Sequence, residues 1–137
     1  MDETRYILIA EDDEDDQFLL HSAFKEVSDD VQLVFVENGL ELIDHFLKFE
    51  KGIIKQLPSL LIVDLNMPKK NGKEAIEELR VKRYFTSFPT LVFSTTGNEM
   101  EKMRCRELGV DNFFVKPSNY GSLLSIVSKF KEMSELA

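Results

Sequence analysis

The chain has 137 residues and a single Cys, enough for one domain of ordinary size whose core needs neither disulfides nor a structural metal. Its 25 acidic and 17 basic residues give a formal net charge of −8, which works against non-specific binding to nucleic acid or to an anionic membrane. The acidic start Met1-Asp2-Glu3 lacks the basic region of a signal peptide, no apolar run approaches a membrane span, and a lone Cys suits a reducing compartment, so a cytoplasmic location is expected.

A first strand is read over 5–10, where Tyr6, Ile7, Leu8, Ile9 and Ala10 form an unbroken apolar run, and it leads straight into the acidic run Glu11 to Asp16. Crowded carboxylates repel one another and resist ionisation unless a cation sits among them, so a divalent ion is expected there. Asp13 reads as a helix N-cap, and Glu14, Asp15 and Asp16 suit the first turn through the helix dipole; Glu11 and Asp12 precede the cap and read as metal ligands. Phe18, Leu19, Ala23 and Val27 mark the apolar stripe of this first helix.

A second strand over 31–36 ends at Glu37-Asn38-Gly39, a turn into a helix whose stripe is Leu40, Ile43, Phe46 and Leu47. The third strand, over 59–64, contains the most uniformly apolar run, Leu60 to Val63, which places it at the centre of a parallel sheet; it ends at Asp64. Ala75, Ile76 and Leu79 mark the third helix. The fourth strand, over 89–94, ends at Ser94 and Thr95, and the following helix carries Met100, Met103 and Leu108 on its stripe, with Cys105 as a packing residue or a surface thiol. A fifth strand over 112–115 leads to Lys116-Pro117, and Leu123, Leu124, Val127 and Phe130 mark the last helix.

Strands alternating with helices make repeated βαβ units, and right-handed crossovers favour a doubly wound α/β fold whose ligands bind beyond the carboxyl ends of the strands. That rule gathers Glu11, Asp12, Asp64, Ser94 and Lys116 on one edge. Magnesium suits this set, because it takes a few carboxylate oxygens together with water and phosphate oxygens. His21 and His45 stand on different helices with no second ligand at metal spacing, and read as solvated or half-buried side chains.

These residues carry a resemblance to the receiver domains of two-component response regulators. It rests on Ile7-Leu-Ile-Ala-Glu-Asp12, on Leu61-Ile-Val-Asp-Leu-Asn-Met-Pro68 with Gly72, on Pro89-Thr-Leu-Val-Phe-Ser94 and on Phe113-Phe-Val-Lys-Pro117. The resemblance implies one flavodoxin-like receiver domain over 1–137, with five helices around a five-stranded parallel sheet of order 2-1-3-4-5 and no output domain. It also implies that Asp64 is the phosphoacceptor, taking a phosphoryl group from a sensor histidine kinase or a phosphotransfer protein in a phosphorelay. Glu11, Asp12, Asp64 and the backbone carbonyl of Asn66 would hold Mg2+, while Ser94 and Lys116 would bind the phosphoryl group. Thr95 would line the entrance, and Phe113 would be the switch residue. The implied role is signal transduction to a downstream protein target, with slow autodephosphorylation, no turnover on a separate substrate, and no direct contact with nucleic acid or membrane.

The chain departs from the commonest family pattern at four of these positions. Glu11 replaces an Asp and, longer by a methylene, is expected to reach the metal through water. Ser94 replaces a Thr, Thr95 a smaller residue, and Phe113 a Tyr, so any switching of Phe113 between exposed and buried settings must be governed by packing alone. The long segment from Lys48 to Pro58 and the Glu-Asp-Asp start resemble the single-domain receivers that partner bacterial phytochromes. Ile126, Phe130 and Met133 widen the last stripe, which points to a homodimer through helices four and five.

Two other classes compete. An aspartyl-phosphate phosphatase of the haloacid-dehalogenase type needs a second Asp at position 66, where this chain has Asn. A mononucleotide binder needs a Ser/Thr/Gly-rich loop after the first strand, where the acidic run would repel phosphate. A phosphorylation-independent interaction module on the same fold is the remaining alternative, and the site residues decide between them.

Overall fold

A computed structural model describes residues 5–28 and 30–136; the Met1-Asp2-Glu3 start lies outside them. The elements run β1 (Tyr6–Ala10), α1 (Glu14–Val27), β2 (Gln32–Val36), α2 (Gly39–Glu50), β3 (Leu60–Val63), α3 (Gly72–Leu79), a 3-10 turn (Arg83–Ser87), β4 (Thr90–Ser94), α4 (Glu99–Glu107), β5 (Asn112–Val115) and α5 (Tyr120–Leu136). All strand pairs are parallel and the order is β2-β1-β3-β4-β5, with the fully buried β3 in the middle as its apolar run requires. Among the described residues no helix is long and apolar enough to cross a membrane.

Side chains alternate across the sheet and build two cores. Ile7, Ile9, Leu60, Ile62, Leu91 and Phe93 face α1 and α5, where Leu20, Ala23, Phe24, Leu123, Val127 and Phe130 meet them. Leu8, Ala10, Leu61, Val63 and Val92 face the other layer, against Leu42 and Phe46 of α2, Ala75, Ile76 and Leu79 of α3, and Cys105 of α4. Each helix begins on an Asp or Asn. The side chains of Asp13, Asn38, Asn71, Asn98 and Asn119 accept the backbone N–H groups of Asp15, Glu41, Glu74, Glu101 and Ser122.

Three of the expected helix stripes are out of phase. In α1 the inward residues are Leu20, Ala23 and Phe24, while Phe18 is 69% exposed and Leu19 is also exposed. Phe18, Leu19 and Leu20 are consecutive apolar residues, so the spacing alone admits more than one face. In α2, Leu42 and Phe46 point inward and Leu40 and Leu47 outward; in α4, Cys105 takes the inner place and Met100 and Met103 stay exposed. The widened stripe of α5 is consumed within the fold: Phe130 is fully buried, and Ile126 and Met133 pack on the same cluster. That removes the ground on which those three residues pointed to a dimer.

The long connection from α2 to β3 is tied down from β1. Tyr6 donates its hydroxyl to the Gln56 carbonyl at 2.7 Å and meets His45 Nε2 at 2.9 Å, so the half-buried His45 is a structural partner.

Candidate functional site

Backbone hydrogen bonds hold the residue just past each of three strands. The Glu11 N–H donates to the Val36 carbonyl at 2.9 Å, Asp64 N–H to Ala10 at 3.0 Å, and Lys116 N–H to Ser94 at 2.8 Å. These side chains therefore inherit the rigidity of the sheet. Strand alternation continues past the ends, so Glu11, Asp64 and Lys116 extend the rows of Ile9, Ile62 and Phe114 on the α1–α5 face. Ser94 extends the row of Val92, and Phe113 packs with that same layer on the opposite face.

Gly72 lets α3 approach the acceptor strand. A Cβ there would lie 2.5 Å from the Asp64 carbonyl oxygen and 2.8 Å from Val63 Cγ1. Between them, the Asn66 N–H donates to Asp64 Oδ1 at 3.1 Å, which fixes the Asn66 peptide beside the carboxylate.

Lys116 is the centre of the site. Its Nζ lies 2.7 Å from Glu11 Oε1, 2.7 Å from Asp16 Oδ2 and 3.0 Å from Asp64 Oδ2, so all three ammonium donors are engaged. Glu11 Oε2 accepts the Asp13 N–H at 3.0 Å. One carboxylate oxygen from each of Glu11, Asp12 and Asp64 lies within 4.8 Å of the others. Two buried carboxylates and one exposed one, all hard oxygen donors, fit a divalent cation of the magnesium or manganese type. A single ammonium among four carboxylates leaves the cluster short of positive charge.

Ser94 is wholly buried and its Oγ has no hydrogen-bond partner. An unpaired buried hydroxyl costs about 1–3 kcal/mol, and here it stands at the end of β4 beside the acceptor strand. Thr95 is exposed. Phe113 is half-buried; its ring occupies the space left by Gly97, where a Cβ would lie 2.5 Å from Cε1, and Lys102 Nζ stands 5.9 Å from the ring centre.

Burial pushes the Glu11 carboxyl up to about 7 and the Asp64 charge adds to that push, against the pull of Lys116 and the Asp13 N–H. Burial alone would lower the Lys116 ammonium, but its bonds to Asp16, Glu11 and Asp64 outweigh that and hold it above the usual lysine range. A carboxyl raised above its ordinary 4.5 binds its proton more tightly in the folded state, so its contribution to stability is complete below pH 4.5 and is lost as pH rises through about 7. The metal-free protein is therefore expected to melt at a lower temperature at pH 8 than at pH 5.5. Affinity for a divalent cation, which needs the carboxylate, rises over the same interval. Melting curves in chelator and in excess magnesium check both, and a metal-free melting temperature that climbs across that interval contradicts the assignment.

The site also contains a residue that the sequence reading gave only a helix-dipole role. Asp16 stands in the first turn of α1, and its carboxylate bonds Lys116 while Glu14 and Asp15 remain exposed. Asp16 and Lys116 also line a cavity of about 250 Å³ together with Leu19, Phe93 and Tyr120.

Residues 7–128 match the family described as Response regulator receiver domain. Response regulator Rcp1 of Synechocystis sp. is 28% identical over 123 residues, covering 90% of this chain and 84% of that protein. The crystal structure of the Mn(2+)-bound form of Rcp1 superposes with a TM-score of 0.81 at 27% identity, covering 93% of this chain and 92% of the other. The phosphorylated cyanobacterial phytochrome response regulator RcpA superposes with a TM-score of 0.85, also at 27% identity, covering 95% and 93%.

Proposed function

The chain belongs to the response regulator receiver domain family, and on that premise we propose that it accepts a phosphoryl group on Asp64 from a phosphohistidine of a sensor kinase or phosphotransfer protein. An Asp64 carboxylate oxygen forms a bond to phosphorus while the bond from phosphorus to the imidazole nitrogen breaks, its electron pair leaving with the ring. Such transfer depends on placing the reactants and neutralising the phosphoryl oxygens, with little other covalent chemistry for the protein to do. Lys116 donates to one of those oxygens, and the sheet-anchored backbone of Asp64 limits the approach to one direction. Magnesium, held by Glu11, Asp12, Asp64 and the Asn66 carbonyl, would supply further neutralisation when bound.

The observation that carries this reading is the Ser94 hydroxyl, buried and unpartnered at the same edge as the lysine-bonded Asp64. A donor without an acceptor in the resting protein gains one once a phosphoryl group is in place. Ser94 shares a sheet face with Phe113, so its movement toward the phosphoryl group draws on the segment in which Gly97 and Lys102 confine that ring. Phe113, lacking a phenol hydroxyl, then follows by packing and turns further inward. A downstream protein reads the change where Met100, Met103 and Val115 remain exposed.

The likeness to RcpA, a cyanobacterial phytochrome response regulator, favours a phytochrome-type kinase as the donor. Asn66, where a phosphatase would carry its second carboxylate, argues against turnover on a separate phosphoester; slow loss of the group by hydrolysis is the reset. The test is intact mass after incubation with acetyl phosphate, with magnesium and with chelator. One phosphoryl group gained only with magnesium is expected. No gain from acetyl phosphate or from histidine kinases would leave a phosphorylation-independent interaction module as the better reading.

A further inference from the structure

We propose that Asp16 is a positioning residue for Lys116, holding the ammonium over the acceptor when a cation draws Glu11 and Asp64 away. This rests on the phosphoacceptor reading of Asp64 and concerns a residue that reading does not use.

The first argument is local. Asp16 is the third residue of α1 after its cap, Asp13. An acidic residue at that position commonly folds back to bond the cap N–H, as Glu74 does for Asn71 at the start of α3. In α1 the Asp13 N–H is instead taken by Glu11 Oε2. Asp16 is thereby released from capping, and its carboxylate reaches across to the residue after β5, 2.7 Å from Lys116 Nζ. A helix-dipole role alone would leave it facing solvent like Glu14 and Asp15, yet its side chain is only 29% exposed.

The second argument is a count of donors. Lys116 spends its three N–H groups on Glu11, Asp16 and Asp64. Glu11 and Asp64 belong to the group of oxygens close enough to share one metal ion, together with Asp12; Asp16 does not. A cation in that group competes with Lys116 for Glu11 and Asp64 and leaves Asp16 as the carboxylate still committed to the lysine. Anchored there, the ammonium keeps one donor fixed and turns the others to the phosphoryl oxygens. Without Asp16 the lysine side chain swings among its rotamers, and misplacement of a neutralising group costs rate out of proportion to the distance moved.

The experiment compares the wild type with Asp16→Leu, Asp16→Asn and Asp16→Glu, each checked for folding by circular dichroism. Three quantities are read: the rate of phosphoryl uptake from acetyl phosphate, the Kd for magnesium, and the 15N–1H signal of the Lys116 ammonium. We expect Asp16→Leu to lower the uptake rate about tenfold and to lose the ordered ammonium signal, while the magnesium Kd stays within about twofold because Asp16 is not a ligand. Asp16→Asn keeps the oxygen acceptor and is expected to fall between, and Asp16→Glu to restore most of the rate. Unchanged uptake in Asp16→Leu beside a phosphorylated wild type overturns this inference alone. A magnesium Kd weakened as much as the rate also overturns it, by making Asp16 part of the metal site. If the wild type itself takes up nothing, the phosphoacceptor reading falls first; an ammonium signal then unchanged by Asp16→Leu would remove the positioning role as well.

Discussion

Asp64→Asn is expected to take up no phosphoryl group and yet to melt at a higher temperature than the parent chain in chelator. The loss follows because an amide oxygen is too weak a nucleophile toward phosphorus. The gain follows from the resting site, where Asp64 is buried beside Glu11 and its charge helps push the Glu11 carboxyl up to about 7. Asparagine keeps an oxygen for the Lys116 ammonium and removes one of the charges that oppose each other; its amide nitrogen cannot accept from the Asn66 N–H, which turns to solvent at that exposed residue. Relief of one such repulsion is worth about 1 kcal/mol, or a rise of about 3–5 °C for a chain of this size. Magnesium should reverse the order, stabilising the parent more than the variant, because one of its ligands has been lost. Mass spectrometry and paired melting curves measure both halves. Phosphoryl uptake by the variant, or a lower melting temperature without metal, contradicts the account.

Lys116→Ala is expected to damage both stability and chemistry. The ammonium neutralises Glu11, which is 2% exposed, together with Asp64 and Asp16. Removing one side of a buried ion pair costs about 3–5 kcal/mol when the remaining charge has no other partner. Here Glu11 can take a proton, so the lower end, about 3 kcal/mol, is expected in chelator. Magnesium should recover much of this loss, since it supplies positive charge to the same carboxylates. Phosphoryl uptake should nevertheless stay about 100-fold or more below the parent at saturating magnesium, because the lysine's donor to the phosphoryl oxygens is gone. Urea unfolding with and without magnesium, beside uptake rates from acetyl phosphate, separates the two effects. Wild-type uptake in Lys116→Ala would mean that the lysine is only a structural counter-ion.

Much of the fold is legible in the chain because a parallel sheet leaves a coarse signature. The uniformly apolar run Leu60 to Val63 marks the central strand, and the residues at or just past the strand ends can be read in order as Glu11, Asp64, Ser94 and Lys116. The helices are less legible. Phe18, Leu19 and Leu20 are all apolar, and only the packing against α5 selects Leu20; in α4 the small Cys105 takes the inner position that the larger Met100 and Met103 suggested for themselves. The stripe of α5 is broad because it closes on both α1 and the sheet, which a reading of the helix alone mistakes for a surface.

The candidate site divides in the same way. Glu11, Asp12, Asp64 and Lys116 follow from strand ends, and the structure brings them together. Asp16 does not, since its partner lies 100 residues away in sequence and its release from capping depends on where the Glu11 side chain points. A helix-start acid at the third position, preceded by another acid able to take the cap N–H, is the only trace of it in the chain. The burial of the Ser94 hydroxyl without a partner is likewise a property of the folded edge and has no signature in the residue type.

The most direct test of the central claim is to trap the modified residue. Protein treated with acetyl phosphate and magnesium is reduced with borohydride, which converts an aspartyl phosphate to homoserine, and the digested peptides are sequenced by mass spectrometry. Homoserine at position 64, absent from the chelated control, is the predicted result. Homoserine at Asp12, Asp16 or any other aspartate, with Asp64 unmodified, would contradict the assignment of Asp64 as the acceptor.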